Sequence, residues 1–165
     1  MILFLTGSPC RKGEDHFTSD NGFLDEVRKA IADVLVDNDL PAILLVSAAP
    51  DDENYNRDVF ASMRQCLDRS GIGYRSIVML ERKNADRARE LVGGSELVFL
   101  CGGHVPTQNR FFHQIGLREI LQHFDGVLIG CSAGSMNCAE DVYSQPEFQG
   151  EVTDPAYRRH LKGLG

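Results

Sequence analysis

A serine flanked by two glycines is the feature of this sequence best suited to chemistry. Gly130-x-Ser132-x-Gly134 follows an apolar run, Gly126–Gly130, and precedes small residues that suit the start of a helix. This is the strand–turn–helix context of a nucleophile elbow, in which the serine stands at the apex of a sharp turn. The amide of Ala133 can then donate to a developing oxyanion. An ordinary turn with a capping serine is the alternative.

Two further candidate groups lie at the ends of apolar runs. Cys131 is a rival nucleophile, but it stands beside the apex, where we expect its side chain to point into the fold. Gly102-Gly103-His104 follows the run Leu97–Cys101, and two glycines let a backbone approach a ligand closely. The Gly103 amide is therefore a candidate second oxyanion donor, with a plain turn as the alternative.

A serine nucleophile needs a general base, and the spacing of the histidines does not single one out. His16 lies in a polar loop, and His113 and His123 lie on or beside a predicted helix. His104 lies just after a predicted strand, and the short loop that carries it favours a contact with substrate over a contact with Ser132. His160 lies in an irregular tail. The base is thus the component of the site that the residues leave unassigned.

Alternating strands and helices are predicted to position these residues. Five apolar runs predict strands: Ile2–Leu5, Ala42–Ala48, Tyr74–Met79, Leu97–Cys101 and Gly126–Gly130. Helical spacing lies between them, within Phe23–Leu35, Val59–Leu67, Ala85–Leu91 and Arg110–Leu121. This alternation predicts an α/β protein, a three-layer sandwich with a mostly parallel sheet. Such sheets bind ligands at the carboxyl ends of their strands, where Ser132 and Gly103 fall.

Length and composition limit the class of protein. The 165 residues suit a single domain over 1–165. With 17 basic and 24 acidic side chains the net charge is −7, which argues against non-specific binding to nucleic acid. No apolar run reaches the length of a membrane span, and the five cysteines form no CxxC pair. We expect a cytoplasmic protein with reduced thiols, no cofactor and no membrane partner.

The phrases Val98–Gly103 and Ile129–Asn137 together resemble the peptidase E and cyanophycinase family of serine peptidases. The resemblance implies a class I glutamine amidotransferase-like (flavodoxin-like) fold, with serine where those enzymes have cysteine. It also implies that Ser132 is the nucleophile and that the amides of Gly103 and Ala133 form the oxyanion hole. The activity implied is acyl transfer from small peptides, by a dipeptidase preferring an N-terminal Asp.

The same resemblance suggests the remaining site residues. Glu147 falls at the distance of the acidic triad member, with a solvated loop charge as the alternative. His104 stands where the family usually has Asn, and we expect it to contact substrate together with Arg110, which could equally be a solvated helix residue. The family's histidine follows a phrase like Gly163–Gly165. The resemblance therefore places the base beyond Gly165 and implies that the C-terminal part of the fold is missing.

Other readings of the same residues stay open. One is an esterase or other small-acyl hydrolase that uses the same elbow. Another is a truncated, inactive amidotransferase-like binding module that keeps the crevice without the histidine. A glutamine amidotransferase is disfavoured because Ser132 stands where that chemistry needs cysteine. A sheet edge left unpaired would invite self-association, so a homodimer is also left open.

Overall fold

The architecture alternates strands with helices along most of the chain. The structure, a computed structural model, describes residues 1–10, 21–34, 40–154 and 156–165. The strands are β1 (Ile2–Thr6), β2 (Ala42–Val46), β3 (Ser76–Leu80), β4 (Leu97–Leu100), β5 (Val127–Cys131), β6 (Asp141–Tyr143) and β7 (His160–Lys162). The α-helices are α1 (Asp25–Val34), α2 (Glu53–Ser70), α3 (Ala88–Gly93), α4 (Val105–Gln114), α5 (Leu117–Leu121) and α6 (Ala133–Asn137). A 3₁₀ segment, Arg82–Arg87, leads into α3.

Five strands form one parallel sheet in the order β1-β5-β4-β2-β3. The five strands predicted from the sequence are confirmed, with small shifts at their ends. Strands β4 and β5 are neighbours, and Leu100 pairs with Gly130 at the end of their ladder. The residues that follow these two strands, Gly102 and Ser132, are therefore brought to the same edge of the sheet.

The central strands are buried on both faces. In β4, Val98 and Leu100 enter an apolar core that includes α3, α4 and α5. The alternate residues, Leu97 and Phe99, enter a second core with α1 and α2. This period of two is what a strand covered by helices on both sides requires. The predicted three-layer α/β sandwich is confirmed.

Two regions differ from the sequence-based prediction. The helix predicted over Arg110–Leu121 is broken into α4 and α5, because Gly116 adopts a left-handed φ of 63° between them. The tail after Val142, expected to be irregular, contributes the short antiparallel pair β6–β7. Strands of three residues carry too little pattern to be predicted. Leu35 and His16, both named in the sequence analysis, lie outside the described residues.

Candidate active site

Ser132 stands at the turn between β5 and α6, as the elbow pattern predicts. Its φ of 49° and ψ of −111° belong to neither strand nor helix and lie in a region that residues other than glycine rarely adopt. The Ser132 amide donates to the Thr6 carbonyl oxygen at 2.8 Å, and the Ser132 carbonyl accepts from the Met136 amide at 3.0 Å. Contacts with β1 and α6 thus hold the strained residue in place.

The two flanking glycines are required by space. A Cβ on Gly130 would lie 2.9 Å from the Cα of Ser135, and a Cβ on Gly134 would overlap the carbonyl group of Leu100. Helix α6 therefore lies directly against the ends of β5 and β4. The Gly-x-Ser-x-Gly spacing follows from this close packing, which is the reason a local pattern could predict the turn.

The side chain of Ser132 is exposed. It does not cap α6, so the structure does not show the capping serine that was the alternative reading. No hydrogen bond joins its hydroxyl to any other described residue. The hydroxyl is therefore open to solvent at the carboxyl edge of the sheet, where a ligand can reach it.

Two backbone amides lie beside this serine. Ala133 is the first residue of α6, a position whose amide has no partner within the helix. A Cβ on Gly102 would lie 3.3 Å from the Cβ of Ser132, so the turn after β4 packs against the turn after β5. Gly103 has a φ of 150°, which favours glycine. Neither the Gly103 nor the Ala133 amide donates a hydrogen bond to a described residue.

Tyr55 orients the turn after β4, a role that no sequence pattern indicates. Its hydroxyl donates to the carbonyl oxygen of Gly102. The carbonyl and the amide of one trans peptide point in opposite directions, so the Gly103 amide points away from Tyr55. Burial raises the pKa of Tyr55, and the phenol keeps the proton that it donates. This contact joins α2 to β4 across the fold, which no local pattern reveals.

His104 caps the N-terminus of α4 and makes no hydrogen bond to Ser132. Its Nδ1 accepts from the Thr107 amide at 3.3 Å and lies 2.7 Å from the Thr107 hydroxyl. Nε2 lies 2.8 Å from the backbone oxygen of Glu151 and donates to it when Nδ1 accepts. Both ring nitrogens are therefore engaged. Asn, the residue usual in the resembling family, is also a favourable helix cap, so His104 performs a structural role suited to that position.

Arg110 and His104 line the same cavity, which has a volume of about 450 Å³. The Arg110 guanidinium lies 3.0 Å from the carboxylate of Asp154, with its side chain 61% exposed. Ser132 is not among the residues that line this cavity. The structure thus brings the two expected substrate contacts together, and the chain links them to the Gly103 turn through His104.

Glu147 lies in the tail loop, which joins β6 to β7 and is described over residues 144–154 and 156–159. Its two carboxylate oxygens accept from the Tyr143 hydroxyl at 2.8 and 2.9 Å, a contact that raises the pKa of Tyr143. The Tyr143 ring in turn lies against His160, with ring centres 5.4 Å apart. Glu147 is exposed and bonds to no described histidine. Its triad role therefore stays a prediction.

A base for Ser132 is not found among the histidines that the structure describes. His113 Nε2 bonds to the backbone oxygen of Lys162 at 2.7 Å, and His123 is exposed beyond α5. His104 and His160 have the partners given above. None of these four rings hydrogen-bonds to the Ser132 hydroxyl. Among the described residues, no group of three or more His, Cys, Asp or Glu side chains is placed to hold a metal ion.

Cys131 is less suited to attack than Ser132. Its sulfur lies 3.8 Å from the Gly7 carbonyl oxygen, and burial raises the pKa of the thiol to about 11. The thiol therefore stays protonated near neutral pH, whereas the thiolate is the reactive form. The side chain is half-buried and lines a largely apolar cavity together with Phe99 and Gly102.

Comparisons with known proteins support the peptidase E-like resemblance at the level of the fold. The chain is similar to the crystal structure of a candidate peptidase E protein from Listeria monocytogenes EGD-e, with a TM-score of 0.65 and 14% identity over 98% of this chain and 73% of that one. It is also similar to a peptidase from an acI-B1 Actinobacterium, with a TM-score of 0.60 and 26% identity over 99% of this chain and 63% of that one.

The chain therefore spans less than two thirds of the length of the second protein. Both structural neighbours are named as peptidases, and the chain has their fold. No protein-family model matches the sequence, and no curated protein matches it. None of the helices in the described ranges is long and apolar enough to cross a membrane.

Proposed function

We propose that this chain carries the nucleophile of a serine-type peptidase and acts on small peptides by acyl transfer. The observation that carries the proposal is the turn at Ser132: a strained backbone between β5 and α6 with an exposed, unbonded hydroxyl. Strain of this kind persists only where the surrounding structure enforces it, and it is concentrated at functional sites. The fold shared with proteins named as peptidases supports the same conclusion.

In this mechanism the Ser132 oxygen attacks the carbonyl carbon of the scissile peptide bond. The carbonyl oxygen becomes an oxyanion, and the amides of Gly103 and Ala133 donate to it. Removing one such donor typically costs about 10²- to 10³-fold in rate. The amine then leaves with a proton, and water releases the acyl group from Ser132.

The attack requires a base to take the hydroxyl proton, a contribution worth typically ~10² to 10⁴ in rate. No described histidine bonds to the Ser132 hydroxyl. We therefore propose that the described residues support reaction of Ser132 with activated acyl groups better than hydrolysis of peptides. An activated ester needs less proton transfer to its leaving group, so the free hydroxyl also favours the second candidate function, that of an esterase or other small-acyl hydrolase.

We propose an N-terminal Asp as the preferred substrate residue, with Arg110 as the cation that binds its carboxylate. The support is the resemblance, together with the position of Arg110 in a cavity that adjoins the Gly103–His104 turn. Arg110 is paired with Asp154 at 3.0 Å. The substrate carboxylate would replace Asp154 as its partner, an exchange between like groups.

The test combines an activated ester with two variants. p-Nitrophenyl acetate should acetylate Ser132, as located by mass spectrometry of proteolytic peptides. Ser132→Ala should abolish acetylation at this site. Where a general base assists the serine, the variant should also lower the rate of catalytic turnover by about 10³-fold or more. Cys131→Ala, the matched neighbour, should keep both properties. Acetylation that moves to Cys131, or turnover lost only in Cys131→Ala, would refute the assignment.

Substrate preference is tested separately. Asp-Leu and Asn-Leu dipeptides differ by one charge at nearly constant shape. Arg110→Met should remove any preference for Asp-Leu while leaving acetylation of Ser132 by the neutral ester unchanged. A preference for Asp-Leu that survives in Arg110→Met would exclude Arg110 as the cation.

A further inference from the structure

Four of the five cysteines surround one cavity that the proposed mechanism does not use. Cys10, Cys66, Cys101 and Cys131 contribute to the walls of a cavity of about 470 Å³ between α2 and the ends of β4 and β5. Val59, Met63 and Phe99 complete an otherwise largely apolar lining. Thiols that share an apolar cavity either fill space or react with one another. The distances between their sulfur atoms distinguish these two possibilities.

One pair is close enough to react. The sulfurs of Cys10 and Cys66 lie 3.2 Å apart, although 56 positions separate the two residues in the chain. A disulfide requires about 2.05 Å between sulfurs, which small rotations of the two side chains can reach from this distance. Both cysteines are present as thiols in the structure. The contact thus joins two remote segments by groups that are able to form a covalent bond.

The backbone keeps the two thiols together independently of the sulfur contact. Cys10 forms an isolated antiparallel bridge with Phe23. The Phe23 amide donates to the Ser70 hydroxyl at 2.7 Å, and that hydroxyl donates to the Cys66 carbonyl at 2.6 Å. Leu24 also donates to the Pro9 carbonyl at 2.9 Å. The segment that carries Cys10 is therefore bound to the helix that carries Cys66 by hydrogen bonds that do not involve sulfur.

We propose that Cys10 and Cys66 are a redox modification site that forms a reversible intramolecular disulfide on reaction with a hydroperoxide. The Cys10 thiolate attacks one peroxide oxygen, the O–O bond breaks, and the leaving oxygen takes a proton to become water or an alcohol. Cys10 is then a sulfenic acid. The Cys66 sulfur attacks the Cys10 sulfur, the S–O bond breaks, and the hydroxide takes the Cys66 proton to form water. Two thiols lose two electrons, which reduce one peroxide.

The roles of the two cysteines follow from their environments. The contact with the Cys66 sulfur lowers the pKa of Cys10, whereas that contact and burial raise the pKa of Cys66. Cys10 is half-buried and Cys66 is fully buried. The thiolate is the reactive form, so Cys10 meets the peroxide and Cys66 resolves the sulfenic acid.

The other two thiols of the cavity are poor competitors. Burial raises the pKa of Cys101 to about 12 and that of Cys131 to about 11, so both remain protonated near neutral pH. Cys101 is 4% exposed, which also limits the approach of an oxidant. The structure therefore favours oxidation at one pair rather than at all four thiols.

The experiment treats the reduced chain with a modest excess of hydrogen peroxide near pH 7 and counts free thiols under denaturing conditions. We expect five thiols to fall to three, peptide mapping without reductant to find Cys10 joined to Cys66, and dithiothreitol to restore all five. An intermolecular disulfide, a disulfide that uses Cys131, or five thiols remaining would each overturn the proposal.

Variants make the assignment specific. Cys10→Ser should prevent the peroxide-dependent loss of two free thiols. Cys66→Ala should leave Cys10 as a sulfenic acid, which dimedone traps. Cys138→Ser is the matched control, because Cys138 is half-buried and bonds to the Gly134 carbonyl in the other apolar core. It should still lose two thiols. Equal oxidation of Cys10→Ser and the unmodified chain would overturn the proposal even if Cys66→Ala failed to fold.

Discussion

The nucleophile turn, residues 131–134, and Glu147 in the tail loop are held by different kinds of contact. Backbone hydrogen bonds to Thr6 and Met136 and close packing against Leu100 fix the nucleophile turn. In the tail loop, Glu147 is exposed and is held by one phenol, that of Tyr143. The groups proposed to stabilise an oxyanion thus lie directly after two central strands of the sheet, whereas the group proposed to support proton transfer lies in a loop away from those strand ends.

This difference shows which part of a hydrolytic site a sheet can build by itself. Strand ends place backbone amides and a strained serine with little help from side chains, because the main chain is already fixed there. Carboxylates and imidazoles need a specific partner to orient them. In this structure those side chains bind their nearest neighbours, as His104 binds Thr107 and Glu151.

The largest effect is expected where α6 packs on β4. In Gly134→Ala the new Cβ would overlap the Leu100 carbonyl, so we expect stability to fall by about 3 kcal/mol or more. Gly93→Ala is the matched control, because a Cβ there meets nothing within 4 Å. It should change stability by less than about 1 kcal/mol. Urea unfolding measures both, and equal midpoints would contradict the packing described for the turn.

Alkaline pH should lower the stability of the fold, because the buried thiol of Cys101 resists ionisation in the folded state. Burial raises the pKa of Cys101 to about 12, against about 8.5 in an unfolded chain. Between these values the unfolded state has released the proton and the folded state has not, so stability is full below about pH 8.5 and falls as pH rises. The contribution of Cys101 at about pH 10 is a loss of about 2 kcal/mol.

The measurement compares urea unfolding at about pH 7.5 and pH 10 in the unmodified chain and in Cys101→Ala. The variant loses packing at both pH values, but its stability should fall less between them. Parallel losses in the two proteins would show that Cys101 ionises as freely in the folded state as in the unfolded one.

Removing the Tyr55 hydroxyl should loosen the turn after β4. Tyr55→Phe leaves the Gly102 carbonyl without its donor, and we expect a cost of about 1 to 2 kcal/mol. Acetylation of Ser132 should also slow, because the Gly103 amide loses the contact that orients it. Tyr74→Phe, which removes an exposed bond to Arg64, is the control and should change neither property by much. Unchanged acetylation in Tyr55→Phe would separate Tyr55 from the oxyanion site.

The smallest effect on stability is expected in the tail loop. Glu147→Gln removes an exposed charge and should change stability by less than about 0.5 kcal/mol. The carboxylate raises the pKa of Tyr143, so the variant should ionise this phenol at a lower pH, as followed by absorbance near 295 nm. A loss of Ser132 acetylation in this variant would show that Glu147 acts on the nucleophile turn, and would contradict the separation of the two regions described above.

The sequence predicted the parts of this structure that local rules determine. The five strands are apolar runs, and the three central ones, β2, β4 and β5, are buried on both faces. The turn at Ser132 depends on two glycines that belong to one short sequence pattern. Tyr55 was missed because its contact with Gly102 joins elements that are distant in sequence. The capping role of His104 had a signal that was not used: Pro106, in the first turn of α4, favours a helix start.

The bond between the Ser132 amide and the Thr6 carbonyl has a consequence for local unfolding. Strand β1 is at the edge of the sheet, and Leu3 and Leu5 are 46% and 52% exposed. Thr6 also binds the Ser135 hydroxyl through both its amide and its carbonyl. Segments with exposed side chains open at a lower free energy than the buried core strands, so we expect the hydrogen bond of the Ser132 amide to break when β1 opens rather than when β4 opens. In hydrogen exchange, the Ser132 amide will lose its protection together with the amides of β1.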